Sequence, residues 1–179
     1  MPDGAGGKSV DERLRDIEDR LEIYNLIASH PPSADTSADY YTSAVYMEDG
    51  SFDRGEGLSS AVGNDDIAAM TQSAGHQRAI QGGLAHFSGL PHIELDGDAA
   101  YVTSYLQILH PDTQGDDREL PNHGFSTGFR IHRVVANRWV LARTIDGWKI
   151  KSRKLRPLDG SPPARDILSQ ALTGYLGAK

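Results

Sequence analysis

From Val10 onward the apolar residues Leu14, Ile17, Leu21 and Tyr24 recur every three to four positions, the period of one face of an α-helix. Ser9-Val10-Asp11-Glu12 has the spacing of a capping box at the start of that helix. The far end adds Ile23, Leu26, Ile27 and Ala28, so the last two turns are expected to be buried on most sides until Pro31-Pro32 stops the helix near residue 29. Ser33-Ala34-Asp35 then offers cap residues for a second short helix over about 36–46, with Tyr40, Tyr41 and Val45 as its apolar positions. Met47 to Arg54 predicts a strand. After a Gly/Ser-rich loop, Asn64-Asp65-Asp66 supplies the acidic start that suits a helix dipole, and a third helix is expected over about 65–78.

Past Gly82-Gly83 the period shortens to two. Strands are expected at about 84–95, 99–111, 123–134, 136–144 and 147–156, with hairpin turns at Asp96-Gly97 and Asp146-Gly147, and Arg165 to Leu176 predicts a short C-terminal helix. Helices grouped first and antiparallel strands afterwards indicate an α+β architecture, in which a bent sheet wraps onto helices. One domain is expected over 9–157, preceded by a Gly-rich disordered leader at 1–8 and followed by a turn and short helix at 158–179. A sheet of this kind leaves its outer face without a helical cover. Trp139 or Trp148 is expected to stand on that face and to drive assembly into a homo-oligomer, a dimer or trimer.

Composition narrows the function. The 179 residues carry 18 Lys+Arg against 25 Asp+Glu, a net charge of −7, which argues against a nucleic-acid partner. There is no cysteine, hence no disulfide, no thiolate nucleophile and no Cys-ligated metal. No apolar run approaches the roughly 20 residues of a membrane helix and the N-terminus lacks a hydrophobic signal core, so a cytoplasmic protein without a membrane partner is expected.

The candidate chemistry centres on His86, which lies in an otherwise apolar or small-residue strand. An imidazole can take a proton at neutral pH, and a carboxylate on its other nitrogen would fix the tautomer; the alternative is a core histidine satisfied by backbone. From the residues alone Asp35 reads as a helix cap, and it could also serve a site only if one carboxylate oxygen faced the pocket. His110 ends an apolar strand on the parity of Val102, Ser104, Leu106 and Ile108, either as an exposed turn residue or as a group that orients a substrate. Arg138 and Arg153 are candidate donors to a developing negative charge, although Arg153 shares the parity of Lys149 and Lys151 and would face solvent unless a bulge intervened. Tyr24 and Phe87 are candidate lining for a pocket. His86, His92 and Glu94 share a strand, but no third histidine or supporting pattern accompanies them, and neither a metal nor another cofactor is expected.

Several pieces recur in one order: the helix Ile23-Tyr24-Asn25-Leu26-Ile27, Asp35 twelve residues after Ile23, Glu48-Asp49-Gly50 in the first strand, His86, and Thr144-Ile145-Asp146-Gly147-Trp148-Lys149-Ile150 near the end. In this, residues 10–157 resemble the SnoaL-like branch of the nuclear transport factor two-like superfamily, which implies a cone-shaped α+β barrel. Within it the chain is similar to the scytalone dehydratase and hexachlorocyclohexane dehydrochlorinase families, in which an Asp orients a His that removes a proton from an apolar substrate. By position Asp35 and His86 match that pair, His110 matches the second dehydratase histidine, and Arg153 matches a dehydrochlorinase arginine. Two features depart from the dehydratase pattern: Ala34 stands where it has a Tyr, and Phe52 and Arg54 occupy the region of its second Tyr.

The resemblance implies a cofactor-independent lyase or isomerase, dehydratase-like, acting on a small and mostly apolar cyclic substrate. The competing expectation is a non-catalytic ligand-binding module, or an accessory subunit like those of ring-hydroxylating dioxygenases. A lyase needs its acid–base pair facing an apolar cavity, whereas an accessory subunit would fill that cavity with side chains.

Overall fold

The computed structural model describes residues 7–177. Residues 1–6, most of the expected leader, lie outside the described residues, and Lys8 reaches Asp16 in an ion pair. Helix α1 spans Val10–Ala28, and its capping box forms as the sequence predicts: Ser9 Oγ accepts from the Glu12 backbone N–H, and the Glu12 carboxylate accepts from that of Ser9. Pro31-Pro32 does end α1, but it also opens α2 (His30–Asp35), since proline fits the first turn of a helix. A third helix, α3, covers Asp39–Val45. Asp35 therefore closes a helix instead of capping the next one.

Strand β1 (Tyr46–Asp53) pairs with a two-residue β2 (Ala61–Val62). The expected single third helix is broken into α4 (Asn64–Thr71) and α5 (Ala74–Gln81), because Ser73 adopts extended backbone and caps the second piece. The expected strand 84–95 likewise divides at Gly89-Leu90-Pro91 into β3 (Ala85–Ser88) and β4 (His92–Asp96). Strand β5 (Ala99–Pro111) follows, then a small hairpin of β6 (Arg118–Leu120) and β7 (Gly124–Ser126), the long β8 (Phe129–Thr144), β9 (Gly147–Pro157) and α6 (Pro162–Gly177). Among the described residues no helix is long and apolar enough to cross a membrane.

The main sheet runs β2-β1-β9-β8-β5-β3, with β4 also on β5, and every pairing is antiparallel except β1 with β9. This is an α+β fold with a curled, mainly antiparallel sheet. Its inner face receives Ile23, Leu26 and Ile27 of α1, which pack on Val102, Trp139, Leu141, Trp148 and Ile150. Trp139 and Trp148 thus sit in the core and not on the outer face. That face carries a helical cover, because α6 lays Ala164 and Ile167 on Ala136.

Two polar ties fix α1 to the β8–β9 hairpin. Asp19, almost fully buried, accepts from both terminal nitrogens of Arg143 at 2.6 and 2.5 Å and from Trp148 Nε1 at 3.1 Å. The Arg143 bonds outweigh desolvation and hold the Asp19 carboxyl below its ordinary value of 3.8. Glu22 accepts the Trp148 backbone N–H at 2.7 Å, over Gly147, whose φ of +98° demands glycine. Gly50 is required for a different reason, since a Cβ there would stand 2.8 Å from the Met47 carbonyl oxygen.

Candidate active site

Between α2, α4, α5 and the inner face of the sheet lies a cavity of about 360 Å³, walled mainly by apolar side chains such as Leu58, Ile67, Met70, Leu84, Leu106 and Leu155. That volume suits a small organic molecule. His86 lines it from β3, with Asp35 behind. His86 Nδ1–H donates to Asp35 Oδ1 at 2.6 Å, and the His86 backbone N–H donates to Asp35 Oδ2 at 3.0 Å. The side chains are 12% and 28% exposed, so the pair is largely sheltered. With Nδ1 committed, Nε2 is the nitrogen that can exchange a proton with a ligand.

Two further histidines share the wall. His76 Nε2–H donates to the Ala34 carbonyl at 2.7 Å, and its ring centroid lies 6.3 Å from that of His86. His30 stands 6.4 Å from His86, edge-on to Trp139, and its Nε2 accepts from Arg153 Nη1 at 2.5 Å. Burial first, then the nearby Arg153 charge, pushes His30 well below its ordinary 6.5, which keeps it neutral and able to accept.

Arg153 is 1% exposed. A register shift between β8 and β9 leaves Lys151 unpaired, since Val140 faces Ser152 and Leu141 faces Ile150. This bulge reverses the parity, so Ile150, Arg153 and Leu155 all point inward. The guanidinium is stacked between Trp139 and Phe52, at 4.0 and 4.6 Å from their centroids, and Nε donates to Asn137 Oδ1 at 3.1 Å. Desolvation lowers its pKa to about 10. The Tyr46 hydroxyl lies close enough to feel this charge but outside hydrogen-bonding geometry, and burial raises its own pKa.

The structure therefore brings His86, Asp35 and Arg153 to one cavity and leaves four expected residues away from it. Tyr24 is 42% exposed on α1, and Phe87, next to His86, is 59% exposed because alternate residues of a strand face opposite ways. His110 lies past the end of the cavity wall, where Nδ1–H donates to the Pro111 carbonyl and the ring meets His132. Arg138 projects from the outer face of β8, bonded to Glu94 Oε2 at 2.7 Å and Thr103 Oγ1 at 2.6 Å. Sequence reasoning missed His30, His76, Arg54 and Arg133 as wall residues. For His30 a signal existed, as it directly precedes the two prolines that begin α2.

Residues 15–154 match the model of the SnoaL-like domain family. The chain belongs to the SnoaL-like family. A similar solved structure is an NTF2-like protein with a cystatin-like fold from Novosphingobium aromaticivorans, 33% identical over 91% of this chain and 99% of that one, with a TM-score of 0.78. A Mycobacterium tuberculosis protein of unknown function shares the fold at 21% identity, over 96% of this chain and 94% of that one, with a TM-score of 0.64. So does a Catenulispora acidiphila protein in complex with S-DNPA, at 18% identity over 77% of this chain and 92% of that one, with a TM-score of 0.59. No protein of curated function matches the chain. The SnoaL-like family includes enzymes, polyketide cyclases among them, and neighbours of this fold extend to a protein described as a putative aromatic ring hydroxylase.

Proposed function

We propose that this SnoaL-like protein is a cytoplasmic, cofactor-independent lyase or isomerase that acts on a small cyclic molecule held in the apolar cavity. His86 Nε2 takes a proton from a carbon or hydroxyl of the substrate, and Asp35 stabilises the imidazolium that results. In an elimination the electron pair of the broken bond expels a leaving group on the neighbouring carbon, and His86 returns its proton to that group or to water. In an isomerisation the same proton goes back to a different carbon.

The observation that carries this reading is the 2.6 Å contact between Asp35 Oδ1 and His86 Nδ1 beside a cavity left open. An accessory subunit has no use for such a pair at an open cavity, which favours the catalytic reading over the assembly role. The test is a screen of hydroxylated aromatic and steroid-like compounds against the wild type and His86→Ala. Conversion by the wild type that drops to background in the variant supports the reading; a compound bound in the cavity but never converted by either protein favours the binding module.

A further inference from the structure

The charge of the cavity wall is out of keeping with the chain. A protein of net charge −7 lines this cavity with three arginines, Arg54, Arg133 and Arg153, and among the described lining residues there is no Asp or Glu. Arg153 bonds only neutral partners, Nε to Asn137 and Nη1 to His30, and its buried Nη2 has no hydrogen-bond partner among the described residues. Arg54, just beyond β1, and Arg133, on β8, have side chains that make no hydrogen bond or ion pair among the described residues, although every other part-buried arginine of the sheet has a carboxylate partner: Arg138 has Glu94, Arg143 has Asp19 and Arg156 has Asp53.

Two half-buried guanidiniums without a counter-ion repel each other. Desolvation and then the Arg133 charge lower the Arg54 pKa, so the pair is close enough to interact. The nearby acids do not relieve this. Asp35 has both oxygens on His86, and Asp159, which feels Arg133 only weakly, is fully exposed and turned to Ser161. Partly buried like charges left uncompensated are costly, and a pair of planar donor forks is the arrangement that recognises a carboxylate.

From this we infer that the substrate is an anion, a carboxylate on an apolar ring, with its charged group seated between Arg54 and Arg133 and its ring in the apolar part of the cavity near His86. The inference deepens the function proposed above and rests on it for the cavity being the substrate's place. It adds a selection rule: neutral analogues of the same shape are poor ligands, because they leave the arginine pair uncompensated and desolvated.

The experiment is calorimetric titration at low salt with 2-naphthoate and its neutral counterpart 2-naphthamide. The proteins are the wild type, R54Q, R133Q, the double variant R54Q/R133Q, and H86A. The wild type and H86A should bind naphthoate about tenfold or more tightly than naphthamide, a preference that falls with added salt. Each single glutamine variant should lose part of it, and the double variant should bind the two probes within about threefold of one another. Both arginines are part-exposed, so the double variant should melt no lower than the wild type. Equal affinity of the two probes for the wild type, no binding of naphthoate, or a preference that survives in both the single and double variants would overturn the inference. Because H86A keeps the anion preference whether or not His86 is a base, a failure of the catalytic reading is seen separately as unchanged turnover in H86A.

Discussion

Both carboxylate oxygens of Asp35 are bonded to a single residue, one to the His86 ring at Nδ1 and the other to the His86 backbone N–H. This double contact joins the end of α2 to β3 across 51 positions of sequence and sets the imidazole's rotation as well as its tautomer. Asn at position 35 has one oxygen and one NH2 group, so it cannot accept both hydrogen bonds. Whichever way the amide turns, either the backbone N–H loses its acceptor or Nδ1 meets a donor. Asp35→Asn should lower turnover by roughly a hundredfold to ten-thousandfold. Its effect on the melting temperature should be small, and nitrogen NMR of the imidazole should show the Nδ1–H tautomer depleted. A variant with full turnover would remove Asp35 from the mechanism.

The unpaired Lys151 is the extra residue that reverses the parity between Ile150 and Arg153. Deleting Lys151 removes the extra residue, so Ser152 follows Ile150 in strict alternation and Arg153 and Leu155 keep their inward facing. The deletion should therefore cost about 1 kcal/mol, an ordinary single-site value. Lys151 is itself exposed, so Lys151→Ala should stay within about 0.5 kcal/mol of the wild type. Urea midpoints of the two variants check this, and a loss of about 3–5 kcal/mol in the deletion, the range for a buried charge stripped of its partners, would mean that Arg153 has left the inner face.

The same bulge shows where sequence reasoning stopped. Helix α1, strand β5 and strand β9 were legible to within a residue or two, because their period, caps and turn residues agree with their tertiary setting. The facing of Arg153 was not, since parity carries no mark of an inserted residue. His110 shares the parity of Ile108 but lies beyond the cavity's end, a matter of how far the wall extends that strand counting does not address. Trp139 and Trp148 pack on the inner face instead of the outer one because alternation along a strand does not say which of its two faces α1 covers. The Asp35–His86 pair was legible only by position within a family pattern, as the residues around Asp35 alone favour a cap.

Acid should act on the fold in two separable windows. His30 has a depressed native pKa, so the unfolded chain takes up its proton first, and stability falls as the pH drops below 6.5. One such group costs up to about 1.4 kcal/mol per pH unit, or about 2 kcal/mol by pH 5. Asp19 is also depressed, which for a carboxyl adds stability above its ordinary 3.8, and that contribution is lost only as the pH falls below this value. His30→Gln keeps an acceptor for Arg153 but cannot be protonated. Between pH 6.5 and 5 its denaturation midpoint should fall less steeply than that of the wild type, while the loss below pH 3.8 that comes from Asp19 should appear in both proteins. Parallel curves throughout would show that His30 is protonated in the native state as readily as in the unfolded one.

We expect a second copy of the chain to pack on α1. Val10, Leu14, Ile17, Leu21 and Tyr24 are between 42% and 68% exposed, although they alternate by four and three positions along the helix. Their spacing averages 3.5 residues, which keeps an apolar seam straight enough to meet another helix of the same kind. Among the described residues this seam has no cover, because α1 buries only Asp19, Ile23, Leu26 and Ile27 against the sheet. A second copy offers the same seam, and a two-fold axis beside α1 would bring the two together with each residue contacting its counterpart region. We therefore expect a dimer by light scattering at micromolar concentration. Leu14→Glu and Leu21→Glu place charges in the middle of the seam without touching the core, and each should shift the protein to monomer while leaving its melting transition cooperative. Monomeric wild type would reject the seam as an interface, and dimers that survive both substitutions would move the interface to another face of the molecule.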